Sequence, residues 1–183
     1  MLVMIGASAS GKTEIAKRLI EKYGFKKMIT YTTRDKRPGE IDGVDYHFLT
    51  TEQFKERLAQ NFFLETVIYN HHYYGTAFKD TDSNKVLIVD PQGANVLYEK
   101  MNGQNLYCYI ESSENLRIKR MESRGDHLRD IQRRIEKDRK RFDKQNLTHI
   151  DHVIQNQEDA SIDALAAHIY QLYMTHIMQK KTG

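Results

Sequence analysis

The sequence predicts an α/β fold, with a parallel sheet at its core and helices covering both faces. Three observations predict it. Short apolar runs alternate along the chain with stretches of helical periodicity. The run Val86–Val89 is continuously apolar, as a strand buried on both faces must be. The first apolar run leads through a glycine-rich turn directly into a helix. With 183 residues the chain is long enough for one compact domain carrying inserted lobes.

The elements follow in order. Leu2–Ile5 is the first strand. Ile15, Ala16, Leu19, Ile20 and Tyr23 then recur at helical spacing, and Gly24 is placed to end the helix in a left-handed conformation. Residues 30–45 are polar and rich in turn formers. Short β-like runs come next at Tyr46–Leu49, Phe62–Tyr69 and His72–Thr76. Between the first two lies a short helix whose Thr50 and Gln53 form a capping box, with Phe54 and Leu58 on one face. This stretch reads as a small inserted lobe. Val86–Val89 and Leu106–Ile110 resume the core strands, and a basic segment follows that is helical in pattern with a break near Gly125. His152–Gln155 is the last strand. Ile162, Leu165, Ala166, Ile169, Leu172 and Tyr173 mark a C-terminal amphipathic helix.

Composition excludes several classes. Charged residues make up 29% of the chain and prolines number two, which argues against disorder and against a fibrous fold. No apolar run approaches the roughly 18–20 residues that span a bilayer. The start, MLVMIGASAS, lacks the basic region and the apolar length of a signal peptide. Cys108 is the single cysteine, so no intrachain disulfide can form and a reducing cytoplasm is the expected compartment. The net charge of +3 does not by itself argue for nucleic-acid binding. It is unevenly spread: residues 117–144 carry twelve Lys or Arg against six Asp or Glu. On charge alone this segment fits a polyanion-binding surface and an ion-pair-laced helix equally well.

The motif with the most specific chemistry is Gly6-Ala7-Ser8-Ala9-Ser10-Gly11-Lys12-Thr13, which satisfies G-x-x-x-x-G-K-[ST] between a strand and a helix. Glycines let backbone wrap a phosphate, and the amides and the helix N-terminus supply positive potential. Lys12 can reach the β- and γ-phosphates of a nucleoside triphosphate, and the Thr13 hydroxyl can ligate Mg²⁺. The loop predicts binding of a nucleoside triphosphate with Mg²⁺ but does not name the acceptor.

Residues 30–48, TYTTRDKRPGEIDGVDYHF, resemble the acceptor lobe of the guanylate kinases. The similarity continues through Phe63-Leu64-Glu65, Tyr73-Tyr74-Gly75-Thr76, Asp90-Pro91-Gln92-Gly93, Arg120, Arg124-Gly125 and Val153-Ile154-Gln155-Asn156, in family order over nearly the whole chain. The resemblance implies a P-loop three-layer fold with a core over 1–30 and 77–183, a GMP-binding lobe over about 31–76 and a helical lid over about 120–135. It implies transfer of the γ-phosphoryl group of ATP to GMP. Arg34, Arg37, Tyr46 and Tyr74 would hold the GMP phosphate, as guanidinium forks and phenol donors suit. Glu65 would accept from guanine N1–H and N2, donors that adenine lacks at those places. Thr30 and Thr76 would donate toward O6 or N7. Arg120, Arg124 and Arg134 would belong to the lid and offset the repulsion between two polyanions. Asn156 would lie near adenine. Glu40 sits in the acceptor loop without an assigned role.

This sequence departs from the family pattern at three places. Ala7-Ser8-Ala9 replaces a proline–serine pair, the lid is about one residue short, and Ile88 stands where relatives carry an acid two residues before Asp90. Asp90 is therefore expected to carry the polar role of that pair alone, through Mg²⁺-bound water or the acceptor. The alternatives are a kinase of another small phosphorylated substrate and a non-catalytic binding module on the same fold. Intact Arg34, Arg37, Glu65 and Tyr74 oppose the first, and Lys12 with Thr13 opposes the second.

Overall fold

The computed structural model describes residues 1–37, 39–69, 71–77 and 84–181. The core span expected over 77–183 thus includes residues 78–83 and 182–183, which lie outside the described residues.

Strands β1 (Leu2–Ile5), β2 (Lys26–Lys27), β7 (Lys85–Ile88), β8 (Leu106–Glu111) and β9 (His152–Gln155) form one parallel sheet in the order β2-β7-β1-β8-β9. Side chains alternate across it, so the continuous apolar runs feed two cores. Leu2, Met4, Cys108 and Ile110 pack under α1 (Lys12–Tyr23) and α6 (Ile162–Lys181) with Ile15, Leu19, Ala166 and Ile169. Val3, Ile5, Tyr107 and Tyr109 face the other way, against Ala94 and Leu97 of α3 (Pro91–Lys100). The predicted α/β architecture, with a parallel sheet covered on both faces, is the observed one.

The inserted segment builds a second sheet in the order β4-β3-β6-β5, from β3 (Tyr31–Thr32), β4 (His47–Phe48), β5 (Phe63–Tyr69) and β6 (His72–Ala77). Its small core holds Tyr31, Phe54, Phe63 and Ala77. Helix α2 (Thr51–Ala59) begins with the expected capping box between Thr50 and Gln53. Phe54 is fully buried, but Leu58, expected beside it, is 43% exposed: the lobe is too small to cover a second turn of the helix.

Helix α3 was not anticipated between the third core strand and the fourth. Its sequence starts Pro91-Gln92-Gly93, which reads as a turn. In the fold Asp90 is its N-cap, accepting from the Gly93 amide at 2.8 Å, and Pro91 occupies the first turn, where a missing N–H costs nothing. The basic segment forms α4 (Glu114–Ser123) and α5 (Leu128–Arg141), broken as expected at Gly125, whose φ is 81°. Met121, Ile131 and Ile135 join these two helices to Ala9 of the glycine-rich loop.

Candidate functional site

The C-terminal edge of the parallel sheet opens into two cavities, where open α/β sheets hold ligands. One, of about 350 Å³, is lined by Lys12, Thr30, Tyr46, Glu65, Tyr74 and Asp90 among others. The second, of about 400 Å³, is lined by Gly11, Lys12, Thr13, Arg120 and Arg124. Lys12 belongs to both walls.

The glycine-rich loop fills the turn between β1 and α1, and two of its positions tolerate no side chain. A Cβ on Gly6 would lie 2.4 Å from the carbonyl oxygen of Ile110, and one on Gly11 would lie 2.1 Å from Nδ2 of Asn156. Gly11 also has a φ of 97°. Lys12 Nζ donates to the carbonyls of Gly6 at 2.6 Å and Ala7 at 2.8 Å, and to Ser10 Oγ at 3.2 Å. Burial pushes its pKa down to about 8, Asp138 opposing the shift. Thr13 lies in the first turn of α1 beside the second cavity.

Arg120 and Asn156 support this loop from behind. Arg120 donates to the Ala9 carbonyl and to Ser112 Oγ, each at 3.2 Å, and to Asn156 Oδ1 at 3.2 Å. Asn156 is fully buried and donates to the Ser10 carbonyl at 2.8 Å. Its carboxamide is engaged by the loop and Arg120, so Asn156 stands under the glycine-rich loop as a brace. Arg124 and Arg134 converge on one carboxylate: each donates to Asp126 Oδ2 at 3.2 Å, with side chains 54% and 40% exposed.

In the inserted lobe, Glu40 has a clear position. Its two carboxylate oxygens accept from one terminal nitrogen of Arg34, Nη2, at 2.8 and 2.9 Å, and one of them also accepts from the amide of Arg37 at 2.8 Å. The Arg34 guanidinium holds the Glu40 carboxyl below the usual carboxylate range. Arg34 also lies 5.5 Å from the centre of the Tyr46 ring, which meets Tyr74 edge-on at 6.2 Å. Burial raises the Tyr46 phenol above its ordinary value, so it remains a donor. Arg34, Tyr46 and Tyr74 are thus brought together, with Arg37 tied in through Glu40.

Glu65 is the most perturbed acid of the first cavity. A register shift between Phe63 and Glu65 in the β5–β6 pairing re-aims this part of the strand: Leu64 enters the main core and Glu65 lines the cavity. Oε1 accepts from the Thr76 hydroxyl at 2.6 Å, while Oε2 is buried without a partner. Burial pushes the carboxyl up to about 7, the Thr76 hydroxyl opposing and Asp90 adding to the shift. An orphaned buried acceptor aimed into a cavity calls for a donor from a ligand. Thr76 is committed to Glu65; Thr30 lines the cavity beside it.

Asp90 has both oxygens engaged. Oδ1 caps α3 through Gly93, and Oδ2 pairs with Arg141 of α5. Arg141 in turn lies 5.0 Å from the centre of the Tyr69 ring, and all three side chains line the first cavity, as does Ile88. The cation that pairs with Asp90 thus arrives from a distant helix, which the residues around positions 88–91 do not show. Arg141, Tyr69, Arg117 and Asp138 were all missed. The excess of basic residues over 117–144 marked the segment but not which of them turn inward. Arg133, Arg139 and Lys144 pair instead with carboxylates on the surface, so the segment is both an ion-pair-laced surface and a wall of the site.

Among the described residues no group of three or more His, Cys, Asp or Glu could hold a metal. A single hydroxyl, Thr13, beside the glycine-rich loop fits Mg²⁺, which keeps its waters and takes substrate phosphates as ligands. Among the described residues no helix is long and apolar enough to cross a membrane.

The family described as guanylate kinase matches residues 1–172. A protein named guanylate kinase from Clostridium perfringens (strain 13 / Type A) is 40% identical over 125 residues, 64% of this chain and 58% of its own length. The match thus spans less than two thirds of that relative. One of the same name from Onion yellows phytoplasma (strain OY-M) is 33% identical over 172 residues, 88% of this chain and 80% of its own. A solved guanylate kinase from Anaplasma phagocytophilum has the same fold, with a TM-score of 0.70 at 19% identity, covering 96% of this chain and 85% of that one.

Proposed function

This chain belongs to the guanylate kinase family, and on that premise we propose that it transfers the γ-phosphoryl group of ATP to GMP. One observation carries the reading: Lys12 stands on the wall shared by two cavities, one lined by the glycine-rich loop and two arginines and one holding a buried acceptor without a donor. In this reading the core binds ATP, the lobe over about 31–76 binds GMP, and the lid over about 120–135 closes over both.

ATP lies in the second cavity with its phosphates on the loop from Gly6 to Thr13. Thr13, with the phosphates, would hold Mg²⁺, which would supply positive charge to the transferring group. GMP enters the first cavity. Its guanine donates N1–H and N2–H to Glu65, giving Oε2 the partner it lacks, and its phosphate meets Arg34, Arg37, Tyr46 and Tyr74. Lys12 then faces the transferring group. Arg124 and Arg134 exchange Asp126 for phosphate oxygens when the lid closes, and closure excludes water. No general base is required, because a phosphate monoester with a second pKa near 6 is already largely dianionic at neutral pH. We propose the cytoplasm as its compartment, in keeping with a lone cysteine, Cys108, which is buried and whose thiol burial pushes up to about 12.

The test is ADP release from ATP in the presence of GMP, AMP, CMP, UMP or sugar phosphates. GMP should be turned over far faster than the others; a sugar phosphate as the preferred acceptor would overturn the reading.

The perturbed groups also set a pH profile. In the free protein Glu65 must lose its proton to accept two donors, so kcat/KM for GMP should rise as pH climbs through about 7. Lys12 must keep its charge, so kcat/KM for ATP should fall as pH passes about 8. Steady-state kinetics from pH 6 to about 9 checks both limbs. A GMP profile that is flat through neutrality would remove Glu65 from the base pocket.

A further inference from the structure

The apex of the phosphate loop is held by a buried ion pair that the reaction does not itself use. Ser8 has both backbone groups taken: its N–H donates to Asp138 Oδ2 at 2.8 Å, and its carbonyl accepts from Arg117 Nε at 2.8 Å. The same guanidinium donates to Asp138 Oδ2 at 2.9 Å, closing a ring of three groups from the loop, α4 and α5. The two side chains are 9% and 3% exposed. The next residue, Ala9, has a φ of 58°, a left-handed conformation that a non-glycine residue keeps only where its surroundings hold it. Arg120 takes the Ala9 carbonyl, and α4 and α5 pack on its methyl group through the cluster of Met121, Ile131 and Ile135.

We propose that Asp138, fixed by Arg117, is a positioning residue that sets the shape of the ATP-binding loop through the Ser8 peptide. The proposal rests on the reading of that loop as the ATP site. A carboxylate is an unexpected neighbour for a loop that binds anions, since it occupies an amide that a phosphate could use. It is nevertheless a fixed part of the loop. Withdrawing Asp138 to admit a phosphate would leave the Arg117 charge buried and unpaired, which is strongly unfavourable. The Ser8 amide is therefore removed from phosphate binding, and the phosphates are directed toward the end of the loop nearest α1 and Lys12. What Asp138 contributes is preorganisation: the apex is in place before ATP arrives.

Two variants separate this role from a merely structural one. In Asp138→Asn the carboxamide oxygen still accepts from Ser8, but Arg117 loses its counter-charge. In the double variant Arg117→Met with Asp138→Leu, no charge is stranded, and such apolar replacements are often neutral or stabilising. The Ser8 peptide then has no tether. The measurements are thermal melting, calorimetric binding of ADP, and steady-state kinetics with ATP and GMP varied separately. Asp138→Asn should melt lower than wild type while keeping ADP affinity within about threefold, since the Ser8 hydrogen bond survives. The double variant should melt near wild type yet bind ADP about tenfold more weakly and show a similar rise in KM for ATP. Stability and ADP affinity thus move in opposite senses. Wild-type ADP affinity in the double variant would overturn the proposal. So would affinity that falls in step with melting temperature in both. If the double variant does not fold, a loss of about tenfold or more in Asp138→Asn, measured well below its melting temperature, overturns it as well. ADP binding needs no acceptor, so wild-type protein that binds ADP but leaves GMP unchanged defeats the assigned acceptor and not the clamp. Wild-type protein that binds no ADP defeats the ATP site and the clamp together.

Discussion

Lys12→Ala should lower kcat by about 100-fold or more, because a preorganised cation at a transferring phosphoryl group is worth about 3 kcal/mol or more. Lys12 is the only residue among those described that lines both the first and the second cavity, and it carries a positive charge into each. Its ammonium is held by two loop carbonyls and Ser10, which place it at the junction. Alanine removes that charge and opens the wall. Lys12→Met restores most of the apolar volume of the side chain without the charge, and should be as inactive as Lys12→Ala. Circular dichroism and thermal melting provide the fold control. Methionine activity near wild type would show that the wall matters and the charge does not, and near-normal turnover in Lys12→Ala would end the catalytic reading of the loop.

Glu65→Gln should lower kcat/KM for GMP by about 2–4 kcal/mol, roughly 30- to 1,000-fold, with the ATP parameters little changed. The replacement has one carbonyl for two guanine donors, and its NH₂ meets one of them donor to donor. The same substitution should stabilise the empty protein at alkaline pH. The sign follows from burial, which raises the carboxyl from 4.5 to about 7. A raised acid pKa means that the folded state binds more protons than the unfolded one. The associated stability is therefore fully present below about pH 4.5 and is lost as pH rises through about 7, a loss of about 3 kcal/mol. Glutamine carries no charge at either end of that window, although its buried amide also lacks a partner and takes back part of the gain. If about 1 kcal/mol remains, the variant should melt roughly 2–4 °C above wild type at pH 8, and the difference should vanish or reverse at pH 5. Melting curves at the two pH values check this. A variant that melts lower than wild type at pH 8 would mean that the carboxylate has a partner, and a GMP KM unchanged by the substitution would place Glu65 outside the base pocket.

These two residues differ in how they could be found. Lys12 stands in a motif whose geometry is local: a strand, a tight turn that needs Gly6 and Gly11, and a helix N-terminus, all within a dozen residues. The caps at Thr50 and Gly24 and the break at Gly125 were legible for the same reason, since each depends on backbone conformation within one or two turns. Glu65 could be assigned only by resemblance. Its burial, its unpartnered oxygen and its raised pKa come from a register shift and from the approach of Thr76 and Asp90, none of which a run of residues displays.

By itself, the sequence determined the parallel α/β core, the inserted segment, the glycine-rich turn between the first strand and helix, and the family. Continuous apolar runs and 3.6-residue periodicity state which residues must be buried, and glycine, capping and loop motifs state where the chain turns. Tertiary structure alone decided that Pro91 starts a helix, that Glu40 holds Arg34 and that Leu58 faces solvent. It alone brought Asp138 to Ser8 and Arg141 to Asp90, across 130 and 51 residues of chain. The physical reason is common to all of them. Helical spacing fixes which side chains share a face, but the direction in which a charged face points is set by packing against distant elements, where one buried ion pair or one unpartnered carboxylate outweighs any local preference.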